Sequence, residues 1–369
     1  MSSSRILLVQ NDPTLATSNG EVLAASGFAV EHAADGETAL ARLNKESFDA
    51  VVLDLILPTT ASGEVIRNIR QFERSKDLPI IALPCSLAGH TRAALQAGAT
   101  KALARDGDVP TELRNAVCEV TRHDVPNGPY RVNEALVNRI IETTPHWLSL
   151  LRRNLHAVIH NQEDRRALRE LLQDAHHLTE GMALARVEGV FELASALTVF
   201  AGDLHKLPEQ LNPSTLRTFG QAADFLATML DDLHRGRTRA IDTARVLIVE
   251  DDAAAGQMIQ AAMQFVGLRS VWADSPATSL DRLARESFDL IFLDVGLPQM
   301  SGFDLCSKVR TLELHEKTPV VFLTGMATFQ NRVQSSLSGG NDFVGKPFNL
   351  PELGVKALIW VFKGHLGLT

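Results

Sequence analysis

Residues 289–294 read Asp-Leu-Ile-Phe-Leu-Asp, a short apolar run that ends in a carboxylate. Such a run without polar alternation is typical of a strand that is buried on both faces of a parallel sheet. Similar runs alternate with helical patterns on either side of it. The predicted strands lie at 245–249, 270–273, 289–294, 319–324 and 342–345, and the predicted helices lie near 254–265, 276–286, 302–313, 328–337 and 350–363. This alternation predicts an α/β domain with a doubly wound, five-stranded parallel sheet.

The same pattern occurs a second time, 240 residues earlier in the chain. Residues 5–9, RILLV, correspond to residues 245–249, RVLIV. The segment LDLILP, which contains Asp54, corresponds to LDVGLP, which contains Asp294. A repeat of this length indicates a duplicated domain and not a solenoid unit. We call the two occurrences the first copy and the second copy.

The segment between the two copies carries no strand pattern. Helical patterns cover 132–143, 146–160, 164–185, 188–205 and 214–235, with a break predicted at Pro145. A short helix followed by four longer ones predicts an all-α four-helix bundle. The sequence therefore predicts three domains, at 1–122, 129–240 and 243–369.

Composition indicates a globular protein and disfavours membrane and nucleic-acid binding. The 369 residues are 45% hydrophobic and 22% charged, as is usual for globular domains. No apolar run approaches the roughly 20 residues that span a bilayer, and no secretory signal is visible, so we expect no membrane association. Cys85, Cys118 and Cys306 lie far apart, which fits a reducing cytoplasm. The net charge of −8 argues against direct nucleic-acid binding.

Acidic residues gather at one predicted edge of the second sheet. Glu250 and Asp251 follow the first strand and Asp294 ends the third, so all three meet at the carboxyl ends of the strands. Three acids at one edge repel each other unless a cation lies among them, and an all-oxygen ligand set favours Mg²⁺. Lys346 and the Thr324 hydroxyl could stabilise charge on a phosphoryl group transferred to a carboxylate.

These residues give the second copy its resemblance to a two-component receiver domain, a flavodoxin-like fold. The resemblance implies Glu250 and Asp251 as the acid pair, Asp294 as the phosphoacceptor, the backbone carbonyl of Gly296 as a metal ligand, Thr324 as the switch hydroxyl, Phe343 as the rotating aromatic and Lys346 as the lysine that contacts the phosphoryl group. Taken singly, each could be an ordinary turn, packing or surface residue. The constellation points to the receiver function.

The first copy departs from this pattern. Gln10 and Asn11 replace the acid pair, Pro84 replaces the threonine and Arg105 replaces the lysine, whereas Asp54 is kept. Neutral amides hold Mg²⁺ poorly, so the first copy is interpreted as a pseudo-receiver used for docking or dimerisation. An ion pair between Arg105 and Asp54, or weak metal-independent phosphorylation of Asp54, are the alternatives.

The helical segment resembles a histidine phosphotransfer domain over residues 175–185, AHHLTEGMALA. The resemblance makes His176 the candidate phosphoryl carrier, with His177 in reserve because it restores the spacing to Gly181. Both histidines lie away from the apolar face of the helix and are predicted to be largely exposed. Glu180, one helical turn from His176, would repel a phosphate. The alternative is a degenerate bundle that spaces and dimerises the receivers.

The resemblances imply a two-component signalling protein that is no enzyme beyond slow self-dephosphorylation. Its partners would be a sensor histidine kinase or phosphotransfer protein upstream and a protein or output domain downstream, and a homodimer is an alternative assembly. A non-catalytic adaptor of the same pathway, or the regulatory part of a longer protein such as a diguanylate cyclase, are the other hypotheses. An aspartate-nucleophile phosphatase is disfavoured, because such an enzyme would need a second acid where Gly296 stands.

Overall fold

The computed structural model describes residues 3–57, 62–83, 88–103, 108–124, 130, 134–187, 189–234, 244–325 and 338–368. The chain forms two compact units, Met1–Pro208 and Glu209–Thr369, which we call the N-terminal and the C-terminal unit. None of the helices in these described ranges combines the length and apolarity that a bilayer crossing requires.

The first copy forms a parallel sheet inside the N-terminal unit. Its strands are β1 (Arg5–Val9), β2 (Ala29–Ala33), β3 (Ala50–Leu53), β4 (Ile80–Ala82) and β5 (Lys101–Ala102), in the order β2-β1-β3-β4-β5. Its helices are α1 (Pro13–Ala24), α2 (Gly36–Lys45), α3 (Ser62–Gln71), α4 (Ala88–Ala97) and α5 (Val109–Thr121). The central strands are apolar on both faces because helices cover both sides of the sheet.

The middle segment is helical, as predicted. It comprises α6 (Glu134–His160), α7 (Arg165–Ala185), α8 (Val190–Lys206), a 3₁₀ turn at Pro208–Gln210 and α9 (Pro213–His234). The first three of these helices belong to the N-terminal unit, and α9 belongs to the C-terminal unit. The three domain boundaries derived from the sequence stay a prediction.

The second copy lies in the C-terminal unit and has the same sheet topology as the first. Its strands are β6 (Arg245–Val249), β7 (Arg269–Ala273), β8 (Leu290–Asp294), β9 (Val320–Thr324) and β10 (Asp342–Gly345), in the order β7-β6-β8-β9-β10. The predicted sheet class is confirmed for both copies. The helices among its described residues are α10 (Ala253–Phe265), α11 (Pro276–Leu283), α12 (Gly302–Val309) and α13 (Leu350–Leu366), with a 3₁₀ turn at Glu313–His315. The helix predicted near 328–337 lies outside the described residues.

The predicted helix break at Pro145 is wrong, because Pro145 lies inside the continuous helix α6. A proline removes one backbone hydrogen bond, which local propensity alone would not tolerate well. Here Trp147, Leu148 and Leu151 are buried immediately after it, and α6 packs along α7. Tertiary packing therefore carries the helix through the proline.

Helix α7 is buried on nearly every side. It packs against α6 and α8, and it also contacts α1 and α5 of the first copy. Its one glycine, Gly181, lies under the indole of Trp147, and a Cβ there would come within 2.5 Å of that ring. The glycine therefore serves close helix packing.

We expect Gly181→Ala to destabilise the N-terminal unit by about 1–2 kcal/mol, because the added methyl group overpacks the site by more than the gain in helix propensity offsets. The free energy of unfolding can be measured by urea denaturation of the full chain. Gly20→Ala is the matched control, since its nearest neighbour would be 3.9 Å from the new Cβ. The control should gain up to about 1 kcal/mol. Equal stability of the two variants would contradict the packing argument.

Candidate functional site

The acidic residues of the second copy converge at the carboxyl edge of its sheet. Carboxylate oxygens of Glu250, Asp251 and Asp294 all lie within 4.8 Å of one another. Lys346, which directly follows β10, reaches the same place: its Nζ is 2.7 Å from Glu250 Oε2 and 2.9 Å from Asp294 Oδ1. The strand order explains the convergence, because β6 and β8 are neighbours in the sheet.

Burial and ion pairing shift the pKa values of two groups in this site. Glu250 is only 1% exposed, and its burial, supported by the charge of Asp294, raises the pKa of its carboxyl despite the nearby ammonium. Burial opposes the charged form of Lys346, but hydrogen bonds to Glu250 and Asp294 outweigh it and raise the pKa of the ammonium. Asp251 stays exposed on the open side of the cluster.

Two glycines allow the chain to turn closely around Asp294. The Gly296 N–H donates to Asp294 Oδ2 at 3.0 Å, which fixes one carboxylate oxygen. Gly302 begins α12 so close to the backbone carbonyl of Asp294 that no Cβ would fit. The role predicted for the Gly296 carbonyl as a metal ligand stays a prediction.

The predicted switch residues lie on the two strands beyond β8. Thr324 ends β9 and is 5% exposed, and Phe343 lies in β10. The guanidinium carbon of Arg217, on α9, lies 3.5 Å from the centre of the Phe343 ring, and Arg217 Nη2 donates to the Phe343 carbonyl at 2.7 Å. A residue from the helical segment thus holds the aromatic that the sequence analysis singled out.

Further polar contacts join α9 to the second copy. Ser214 and Thr218 donate to Glu352 Oε1, at 2.7 and 3.1 Å. Lys356 is fully buried and donates to Gln221 on α9 and to Asp342 Oδ2. These buried contacts make α9 a structural part of the C-terminal unit.

The first copy has a second cluster at the corresponding sheet edge. Asp54 follows β3, and its Oδ1 lies 2.9 Å from His176 Nε2 of α7. Gln10 Nε2 donates to Glu180 Oε2 at 2.8 Å, and Asn19 Nδ2 donates to Gln10 Oε1 at 2.9 Å. All five residues are at most 4% exposed. Helix α7 therefore docks its histidine onto the one acid that the first copy keeps.

The titratable groups of this buried cluster shift one another's pKa. Burial opposes a charged imidazole, but the carboxylates of Asp54 and Glu180 raise the pKa of His176 to about 9. Burial and the charge of Asp54 raise the pKa of Glu180 to about 8. Burial alone would raise the pKa of the Asp54 carboxyl, but the charge and the hydrogen bond of His176 outweigh it and lower this pKa.

Comparisons with known proteins give the family of the two copies. A sequence family described as the response regulator receiver domain matches residues 6–117 and 246–357, together more than half of the chain. The chain belongs to the response regulator receiver family. Both copies are receiver domains, and the resemblance stated for them is confirmed. The resemblance of the helical segment to a phosphotransfer domain stays a prediction.

Individual relatives match one receiver at a time. Over 124 residues the chain is 35% identical to the cell cycle response regulator CtrA of Brucella ovis, a match that covers 33% of this chain and 52% of that protein. The chain thus spans about half the length of the curated relatives that it matches. The high-resolution structure of chemotaxis response regulator CheY4 of Vibrio cholerae is 30% identical, with a TM-score of 0.30, and covers 32% of this chain and 98% of CheY4.

Another similar structure contains a metal. The receiver domain of sensor histidine kinase PA1611 from Pseudomonas aeruginosa PAO1, with a magnesium ion coordinated in its active site cleft, is 30% identical with a TM-score of 0.31. It covers 33% of this chain and 99% of that domain.

The exposure predicted for the phosphotransfer histidines is wrong. His176 is 1% exposed and His177 is 6% exposed, because the first receiver covers the side of α7 opposite its apolar face. Hydrophobic periodicity identifies the apolar stripe of a helix but cannot show that a polar stripe is also buried. Arg105, whose ion pair with Asp54 is one of the alternatives above, lies outside the described residues, and so does Pro84.

Sequence reasoning missed two contacts between the helical segment and the receivers. Arg217 carries no motif, so no sequence signal pointed to Phe343 as its partner. Asp12 directly follows Asn11 and lies one position after the residues that replace the acid pair. It accepts hydrogen bonds from Thr14 N and Leu15 N at the start of α1 and from Trp147 Nε1 at 2.7 Å. An Asp before Pro13 is a recognisable helix N-cap, and the Trp147 contact is visible only in three dimensions.

We expect Lys356→Met to destabilise the C-terminal unit by about 3 kcal/mol, because it leaves the buried carboxylate of Asp342 without its ammonium partner. Urea denaturation of the full chain would measure this loss. Lys363→Met is the matched control, since the Lys363 ammonium lies over the Trp360 ring at 4.6 Å. The control should cost about 1 kcal/mol or less. Equal losses in the two variants would mean that the buried pair contributes nothing specific.

Proposed function

We propose that this chain is a two-component signalling protein in which Asp294 accepts a phosphoryl group with Mg²⁺ bound. The observation that carries the proposal is the position of Lys346 Nζ, 2.9 Å from Asp294 Oδ1, at an edge where three carboxylates meet. Those carboxylates exceed the positive charge of Lys346, and they form the hard oxygen set that suits Mg²⁺. Glu250, Asp251 and Asp294 would hold the ion.

The chemistry requires little from the protein beyond placing charges. An oxygen of Asp294 attacks the phosphorus of the donor, a P–O bond forms, and the bond from phosphorus to the donor atom breaks. Mg²⁺, when bound, neutralises charge on the phosphoryl oxygens. Lys346, already held between Glu250 and Asp294, offers its ammonium to the same oxygens. Thr324 supplies a hydroxyl at the end of the neighbouring strand.

The output would pass through protein contacts on the β10 side of the sheet. A phosphoryl group adds negative charge beside Lys346 and so changes which oxygens that ammonium contacts. Phe343 lies three residues earlier in the chain and is held by Arg217 of α9. Phosphorylation would thereby alter the seating of α9 on the second receiver. The upstream partner would be a histidine kinase or phosphotransfer protein.

The alternatives differ in what Asp294 does and in what else the protein contains. A non-catalytic adaptor would use both receivers for binding alone. A longer regulator would carry a further output domain, and the partial coverage of the CtrA relatives is compatible with such an arrangement. In each case receiver domains act as phosphoacceptors or docking modules and not as enzymes.

We expect incubation with a small acyl phosphate and Mg²⁺ to add one phosphoryl group to the full chain, as measured by intact-mass spectrometry. Asp294→Asn should abolish the added mass, because the amide cannot act as the nucleophile. Asp54→Asn is the matched control and should keep full labelling. Labelling that survives in Asp294→Asn, or that is unchanged without Mg²⁺, would contradict the proposal.

A relay through His176 is the second candidate function. The observation that favours it is the facing pair of His176 Nε2 and Asp54 Oδ1, 2.9 Å apart, which is the juxtaposition that transfer between a histidine and an aspartate needs. The burial of both groups acts against it, since an external donor would have to open the N-terminal unit.

The relay predicts an acid-labile phosphate on His176 after incubation of the full chain with a phosphorylated receiver or a kinase. His176→Gln should lose this phosphate, and His177→Gln should keep it. The measurement is radiolabel retained after base but lost after acid treatment. No acid-labile label in the unsubstituted chain would leave α7 with the role of a structural connector.

A further inference from the structure

The first receiver has no acid pair after its first strand. In the structure, a carboxylate from α7 lies at the corresponding edge of the sheet. Gln10 stands where Glu250 stands in the second receiver, and its amide is hydrogen-bonded to Glu180 of α7. Glu180 is therefore brought to the edge of the first sheet, beside Asp54. The helical segment thus supplies the acid that the receiver itself lacks.

Three potential metal ligands meet at this point. One oxygen from Asp54, one from Glu180 and one ring nitrogen of His176 all lie within 4.8 Å of one another. His176 and Glu180 are four residues apart on α7, so they project from the same face of the helix. Their separation is already short: His176 Nε2 lies 3.7 Å from Glu180 Oε2. His176 and Glu180 from one turn of α7, together with Asp54 at the end of a strand, can therefore coordinate a single ion.

The surroundings of the cluster also point to a cation. Asp54 and Glu180 are 0% and 4% exposed, and His176 is their only ion-pair partner in the part of the chain that the structure describes. Asp54 Oδ2 is buried and has no hydrogen-bond partner among the described residues. A buried carboxylate oxygen without a partner is costly, and a metal ion would satisfy it.

The ligand types select the class of metal. The second receiver offers only oxygens, which suits Mg²⁺, whereas this cluster adds an imidazole nitrogen. Imidazole with carboxylates suits Zn²⁺ and related first-row divalent ions, which accept nitrogen ligands more readily than Mg²⁺ does. Two carboxylates and a neutral imidazole would balance the charge of such an ion. Gln10, held by Asn19, fixes the orientation of Glu180 from behind.

We propose that Asp54, His176 and Glu180 form a buried divalent transition-metal site, with Zn²⁺ as its typical occupant, that joins the first receiver to α7. Its ligands come from the end of β3 and from α7, so a bound ion would tie these two elements together. It is separate from Asp294 and does not depend on phosphorylation there. A metal on His176 Nε2 would exclude the relay, because it would occupy the nitrogen that faces Asp54.

The test is Zn²⁺ binding by the full chain after removal of metals with a chelator, measured by competition with a chromophoric chelator in excess Mg²⁺ to occupy the second receiver. We expect one tightly bound Zn²⁺ per chain. Glu180→Gln and His176→Gln should each weaken it by about 100-fold or more, since even residues behind the ligands contribute about 10–100-fold. His177→Gln is the matched control and should bind normally.

Two further measurements separate this site from folding defects and from adventitious binding. Co²⁺ added to the unsubstituted chain should give visible d–d absorption, which needs no variant that might misfold. The exposed rings of His156 and His160 lie 4.1 Å apart and are the obvious adventitious site. His156→Gln should leave the tight site unchanged. The proposal is overturned if the unsubstituted chain shows no tight Zn²⁺, or if Zn²⁺ binding survives in Glu180→Gln and disappears in His156→Gln.

Discussion

Each receiver has a buried carboxylate at the end of its third strand, Asp54 in the first and Asp294 in the second. A buried carboxylate is stable only with a positive charge close to it. In the second receiver that charge comes from within the domain, as Lys346 bridges Glu250 and Asp294. In the first receiver it comes from outside, as His176 of α7 meets Asp54. The same electrostatic requirement therefore has two solutions. One pairs the acid with a lysine of its own domain, and the other pairs it with a histidine of the helical segment.

The two receivers also differ in how the edge of the sheet is covered. Asp251 remains exposed beside Asp294, so the edge of the second sheet is open to water at this residue. Asp54 is 0% exposed, and the groups around it belong to α7. Gln10 and Glu180 are compatible neighbours, because the Gln10 amide donates a hydrogen bond to the Glu180 carboxylate. An acid at position 10 would instead repel Glu180. The position that lacks an acid in the first receiver is thus also a position that contacts α7.

Sequence patterns predicted the two sheets well, because the strands depend on local order. Apolar runs mark buried strands, and neighbouring strand ends bring Glu250, Asp251 and Asp294 together whatever else the chain does. The burial of His176 and the course of α6 through Pro145 were not predictable, since both depend on what packs against each helix. The partnership of Arg217 with Phe343 joins residues that are 126 positions apart and follows no motif.

The docking of α9 has a practical meaning for work with isolated pieces of the protein. Sequence patterns alone would place a cut near residue 240, after α9. A fragment that starts there lacks α9. The face of β10 and α13 that Arg217 and Gln221 cover, including Phe343 and the ammonium of Lys356, would then be exposed to solvent. Such a fragment would carry a newly uncovered, partly apolar face. Any pairing of such fragments in solution would need to be distinguished from the behaviour of the intact chain.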